Sequence, residues 1–115
     1  MKEYHYNLKQ AAAQLRLNEQ AVQEIALDFV RENHIYLTPI TQALNSGRTD
    51  EAARQAHRLK GAALELRMER IARLAGMLES QSGRQSLKHS QAIIGELKKL
   101  FRLLEQELHE NRSKE

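Results

Sequence analysis

Ala52, Ala56, Leu59, Ala63 and Leu66 recur four, three, four and three residues apart. At about 100° per residue this spacing puts all five on one narrow stripe of an α-helix, whereas a strand would scatter them over both its faces. Four of the intervals in this stripe join small or branched-aliphatic side chains, so a neighbouring helix can approach closely. The pattern then slips. Ile71, Leu74, Ala75 and Leu78 centre roughly 90° further round the wheel. A helix running straight through could not bury both sets against one core, so the spacing predicts a helix that ends near Leu66 and a second that follows at once.

The remainder of the chain is read the same way. Asn7 can cap a short helix over Leu8 to Leu15, with Ala11, Ala12 and Leu15 on one side. Leu17-Asn18 marks a break and a new N-cap, and Glu19 supports the first turn through the helix dipole. Val22, Ile25, Ala26, Phe29 and Val30, then Tyr36 or Leu37, Ile40 and Leu44, hold one broad apolar face. Pro39 interrupts it by removing a backbone hydrogen bond. Because the spacing resumes in phase, the expectation is one helix kinked at Pro39, with two helices meeting between Asn33 and Pro39 as the alternative. Asn45 to Asp50 is the clearest turn, with Gly47 suited to positive φ and Thr49 or Asp50 to capping the next helix. Gln81 to Ser86, containing Gly83, reads as a loop. The last helix is expected from Leu87 to about Leu108, with Ile94, Leu97, Phe101, Leu104 and Leu108 as its seam and Ile93, Leu100 and Leu103 widening it. The predicted fold is all-α: an antiparallel up-down four-helix bundle with a short extra N-terminal helix. It forms one domain over 1–115, with its core over about 19–108 and a fraying tail from 110 to 115.

His57 lies roughly 140° from the centre of the Ala/Leu stripe, so its imidazole is expected in water. Arg54 and Ala53 sit one turn before it, Lys60 and Gly61 one turn after, and Leu64 two turns on. Two of these are odd on a solvated face. Gly61 weakens a helix by about 1 kcal/mol relative to Ala, and Leu64 is apolar on the wrong side. Together they form a flat, partly apolar patch beside an exposed imidazole and an ammonium group, suited to docking of another protein. The plain alternative is a bundle helix with an incidental surface histidine.

His57-x-Leu59-Lys60-Gly61-x-Ala63, followed by Leu66 and by Leu78-Glu79, resembles the signature of histidine phosphotransfer (HPt) domains, the helical phosphocarriers of multistep two-component relays. The resemblance implies that His57 is phosphorylated at Nε2 and passes the group to an aspartate. A neutral imidazole, with its ordinary pKa near 6.5, is a good nucleophile for this. Lys60 can reach the phosphoryl oxygens and offset part of their charge. Glu79 stands where family members often place a carboxylate or amide. From the adjacent helix it can hydrogen-bond the other ring nitrogen or hold Lys60, the alternative being a solvated acid. Arg54, with Ala53, Gly61 and Leu64, is assigned to partner docking, and Arg54 reads equally as a plain solvated charge. The family usually has Gly at the turn occupied here by Arg67, which puts the geometry of that turn in question. The implied partners are receiver domains of response regulators and of a hybrid histidine kinase. The chain itself is expected to act as a monomeric carrier, not as an enzyme that turns over alone.

Composition narrows the alternatives. There is no Cys and no Trp, so no disulfide framework or cysteine metal site is available. His5, His34, His89 and His109 lack ligand spacing, and Met68 and Met77 fit packing better than a cofactor role. No cofactor is expected, and Mg2+ is assigned to the partner receiver. No phosphate-cradling glycine loop or kinase motif is present. No apolar run is long enough for a membrane span and no signal-peptide core precedes the fold, so a cytoplasmic location and no membrane partner are expected. The net charge of +3, from 18 basic and 15 acidic residues, is mild and interleaved. A basic surface around Arg54, Arg58, Lys60, Arg67, Arg70 and Arg73 suits an acidic protein or a phosphate backbone, but with three Tyr and two Phe nucleic acid is not the expected partner. Two other readings remain beside the relay: a module like that of chemotaxis kinases, phosphorylated directly by a kinase domain, and a helical adaptor that carries no phosphoryl group.

Overall fold

The computed structural model describes residues 6–81 and 86–113, and among these every regular element is an α-helix. In chain order they are α1 (Leu8–Leu15), α2 (Glu19–Arg31), α3 (His34–Asn45), α4 (Thr49–Glu65), α5 (Glu69–Gln81) and α6 (Leu87–Ser113). α4 packs on α3 and α5, α6 packs on α2, α3 and α5, and α1 lies against α2. The Ala/Leu stripe of α4 is buried throughout, with Ala56, Leu59 and Ala63 at 0% exposure, Ala52 at 1% and Leu66 at 6%. Fully burying a side chain the size of Leu59 contributes about 1.5–3 kcal/mol. That burial holds α4 in one rotation and sends its opposite face, with His57, outward.

Local chemistry accounts for most helix ends. Asn7 caps α1, its Oδ1 accepting from the Gln10 N–H at 3.0 Å, and Asn18 caps α2 by accepting from Ala21 at 2.7 Å. Three helices end in the same way, on a residue of positive φ: Arg16 at 58°, Gly47 at 72° and Arg67 at 58°. In each the next residue's N–H reaches back to a carbonyl of the last turn, Leu17 to Ala12 (3.1 Å), Arg48 to Ala43 (2.9 Å) and Met68 to Ala63 (2.8 Å). The turn after α4 is thus built as a glycine would build it, although an arginine stands there. It is covered by Tyr6, whose hydroxyl donates to the Leu66 carbonyl at 2.7 Å and whose backbone N–H donates to the buried Glu107 carboxylate at 2.7 Å. Burial pushes the Tyr6 phenol up to about 12.

Positive φ costs a non-glycine residue about 1–2 kcal/mol. Arg67 recovers part of this by donating to Gln14 and by pairing with Glu69 at 3.1 Å, contacts near the surface that are worth under about 1 kcal/mol each. Arg67→Gly is therefore expected to raise stability by up to about 1 kcal/mol, read as a higher urea midpoint at unchanged m-value. A lower midpoint would mean that the two contacts outweigh the strain.

Four expectations are corrected. The helix before Asn45 is not one piece kinked at Pro39. It divides at Glu32 and Asn33, and Pro39 lies inside α3. Asn33 donates its side-chain amide to the Val30 carbonyl at 2.8 Å, occupying the acceptor that the His34 N–H would use in a continuous helix. The cap of α4 is neither Thr49 nor Asp50: Arg48 holds the N-cap position without a side-chain bond, Thr49 is already helical, and Asp50 and Glu51 supply first-turn carboxylates. Ile25 is 45% exposed, and the inward face of α2 is turned toward Leu27 (1%) and Gln23 (0%), whose amide donates to the Leu108 carbonyl. Finally, α6 continues past Leu108 to Ser113, since propagating a formed helix needs no further burial. Residues 114 and 115 of the expected tail, and 82–85 of the expected loop, lie outside the described residues.

Candidate functional site

The phase slip after Leu66 is what assembles the site. Because α5 folds back along α4, Glu79, 22 residues beyond His57 in sequence, comes beside it. One carboxylate serves two partners. Glu79 Oε2 lies 2.6 Å from His57 Nδ1, and Oε1 lies 2.8 Å from Lys60 Nζ. The histidine side chain is 66% exposed, Lys60 33% and Glu79 28%, so the carboxylate is the sheltered member and the ring the open one. The Lys60 ammonium holds the Glu79 carboxyl below its ordinary value; burial opposes this, and the His57 bond adds a lesser lowering. At neutral pH Glu79 is therefore ionised and can only accept.

That fixes the ring chemistry. With a carboxylate as its neighbour, Nδ1 carries the hydrogen and donates, and in the neutral ring Nε2 keeps its lone pair. Among the described residues Nε2 has no hydrogen-bond partner. The ring is thus held from one side and open on the other. An exposed imidazole on a helix would otherwise exchange tautomers and rotamers freely; here both are set by a residue of another helix.

Asp50, Ala53, Arg54, His57 and Glu79 line one shallow cleft across α4 and α5. Arg54 reaches it one turn before the histidine, but its guanidinium is held by Glu51 at 2.6 and 3.1 Å. Gln55 steadies the other oxygen of Glu51 at 2.9 Å. Arg54 therefore stands as half of an ion pair, 73% exposed, and not as a free cation. Gly61 and Leu64 continue the same face of α4 beyond the cleft: Gly61 is exposed with nothing within 4 Å of where a Cβ would stand, and Leu64 is 51% exposed. Arg58, from the wider basic surface, lies with its guanidinium 4.9 Å over the ring of Tyr36.

Two contributors had escaped notice in the sequence. Asp50 entered only as a helix cap, yet it borders the cleft. Gly76 is the more informative omission. A Cβ there would lie 3.5 Å from Lys60 Cδ, an ordinary contact. Gly76 thus stands directly beside the lysine stem that reaches Glu79. Its signal is present in the sequence, as a helix-weakening residue one turn before Glu79. Among the described residues no group of His, Asp or Glu is arranged to hold a metal ion, and no helix is long and apolar enough to cross a membrane.

A family model described as Hpt domain matches residues 24–110, about three quarters of the chain and the whole of the α4–α5 site. No curated protein and no solved structure matches the chain.

Proposed function

The chain belongs to the Hpt domain family, whose members have a histidine phosphotransfer role in two-component phosphorelays, and from that premise we propose that His57 is its phosphoryl-carrying residue. The carrying observation is the 2.6 Å contact between Glu79 and Nδ1, which keeps the Nε2 lone pair available on the open side of the ring. The donor is an aspartyl phosphate on a receiver domain, and the next acceptor is the aspartate of a response regulator. Nε2 attacks phosphorus, the P–N bond forms, and the P–O bond to the donor aspartate breaks, so that the aspartate leaves as a carboxylate. The ring, phosphorylated at Nε2 and still protonated at Nδ1, carries positive charge that the Glu79 carboxylate offsets. Lys60 then faces a choice between Glu79 and the phosphoryl oxygens, and its long stem allows it to serve both.

On this reading Mg2+ belongs to the receiver. The chain contributes an oriented nucleophile and counter-charges, and it is a carrier without turnover of its own. The α2–α3 unit, α4, α5 and α6 are the four members of an antiparallel bundle, with α1 as the extra helix; the short connections and the packing of α4 between α3 and α5 support this arrangement.

The test is incubation with candidate phosphorylated receivers, followed by intact-protein mass spectrometry at neutral pH. One added phosphoryl group is the expected result, and none from any receiver would count against the relay. In the same assay Lys60→Ala should slow transfer by about 10- to 100-fold, of order 1.4–2.7 kcal/mol in the barrier. An unchanged rate would reduce Lys60 to a partner of Glu79 alone.

A further inference from the structure

The charges of α6 sort by face. Measured on the wheel from Gly95, Lys88, Lys98, Lys99 and Arg102 all fall within about 60°, and every one of them is exposed. No carboxylate enters that arc between Lys88 and Arg102, since Glu96, the one acid in this span, turns about 100° away. Four cations elsewhere are each paired with a carboxylate: Arg31 with Glu105 at 3.6 Å, Arg54 with Glu51 at 2.6 Å, Lys60 with Glu79 at 2.8 Å and Arg67 with Glu69 at 3.1 Å. Among the described residues the four cations of this stripe have no carboxylate partner.

Beside the stripe runs a groove. Two adjoining recesses between α3 and α6 share Thr41 and Lys98, and they extend along three turns of α3, from Asn33 to Asn45. Their floor is apolar, formed by Leu37, Leu44 and Ile94, and their walls carry hydroxyl and amide groups with no carboxylate. Gly95 stands at the lip, inside a 27-residue helix. It is exposed, with nothing within 4 Å of a Cβ, so neither a turn nor a packing contact within the chain explains it.

We propose that the outer face of α6 and the α3–α6 groove form a docking surface for an acidic amphipathic helix of a partner protein, separate from the His57 site. The groove gives such a helix a place for apolar side chains at i, i+3 or i+4, and i+7. The unmatched cations meet its carboxylates, and Gly95 lets the two backbones approach. A nucleic-acid backbone would use the stripe alone and leave the apolar floor idle. The two surfaces share no residue, so a partner held on α6 leaves His57 open to a receiver.

The test titrates the whole chain, by fluorescence anisotropy, into a labelled helical peptide carrying Leu at i, i+3 and i+7 and Glu on its flanks. Saturable binding is expected, weakened by at least about tenfold in the combined Lys98→Gln, Lys99→Gln, Arg102→Gln variant. Gly95→Gln, which keeps the charge and should raise the melting temperature, is expected to weaken it as much. Transfer to His57 from a phosphorylated receiver should stay within about twofold in both variants. Absence of saturable binding, full binding by Gly95→Gln, or equal competition from a random DNA duplex or phosphatidylserine vesicles would overturn the proposal. So would loss of receiver transfer in the α6 variants, which would place this face in the receiver interface.

Discussion

His57→Gln is expected to fold as the wild type does and to accept no phosphoryl group. The side chain is 66% exposed, so its replacement opens no cavity and strands no buried donor. Stability should move by no more than about 0.5 kcal/mol, the usual range for a surface change. Gln keeps a group able to hydrogen-bond Glu79, which guards against the collapse of Lys60 and Glu79 into a new arrangement. What it lacks is a lone pair of imidazole basicity at the place where phosphorus must be attacked. The wild-type label should be acid-labile and stable to base, as a phosphoramidate is and an acyl phosphate is not. The check is intact mass after exposure to a phosphorylated receiver, with the melting temperature measured alongside. Label persisting in the variant would move the carrier to another residue; a variant that fails to melt cooperatively would leave Glu79→Gln, which preserves His57, to decide whether the carboxylate or the ring is at fault. In that second variant the amide can still meet Nδ1 but no longer offsets the positive ring, so slowed transfer is expected with labelling retained.

How much of this could be seen before the structure depended on how local each cause is. The rotation of α4 was legible because five residues of one stripe share one requirement, burial, and the wheel converts that directly into an outward His57. The partition into α4 and α5 was legible for the same reason, since two apolar faces about 90° apart cannot serve one core. Glu79 was legible as a candidate, but its bridging of His57 and Lys60 was not, because it depends on how far α5 slides along α4. Where a single side chain competes with the backbone, periodicity says little. Asn33 breaks α2 from α3 by taking the Val30 carbonyl, and nothing in the apolar spacing reports that. The Pro39 signal was read correctly as a lost bond and wrongly as the place of the break.

Ile25 shows a different limit. Its spacing from Val22 and Phe29 suits the inward stripe better than that of Leu27, yet the packing against α6 decides otherwise. Gln23 points inward and donates to the Leu108 carbonyl, which rotates α2 so that Leu27 is buried and Ile25 is 45% exposed. Tyr6 lay beyond reach for a similar reason: its two bonds go to Leu66 and Glu107, 60 and 101 residues away. Contacts of that kind belong to the tertiary structure alone. Arg67 is the instructive middle case. An arginine fills a position where glycine is usual; the structure keeps the glycine geometry, with φ at 58°, and the strain is borne locally.

Gly61→Gln should keep the fold and lose the function. Gly61 is exposed, one turn beyond His57, and a Cβ built there meets nothing within 4 Å. Packing within the chain therefore gives no reason for a residue that weakens the helix by about 1 kcal/mol relative to Ala. Gly61→Ala is accordingly expected to raise stability by roughly 0.5–1 kcal/mol and to cost little in transfer, because a methyl group barely rises above the helix surface. Gln adds a flexible side chain that reaches across the space between Gly61 and the ring, beside Leu64, where the loops of a receiver must settle for their aspartyl phosphate to meet Nε2. A misplacement of about 1 Å at that stage costs on the order of 100-fold in rate, so the variant should transfer at least about 100-fold more slowly, or roughly 2.7 kcal/mol in the barrier. Stability from urea melts and transfer from a phosphorylated receiver, measured on the same preparation, separate the two effects. If Gly61→Gln melts higher and transfers slowly, the glycine is there for clearance. If it transfers at the wild-type rate, receivers dock on the cleft side of His57, against Asp50 and Arg54, and the Gly61–Leu64 side of α4 is merely surface.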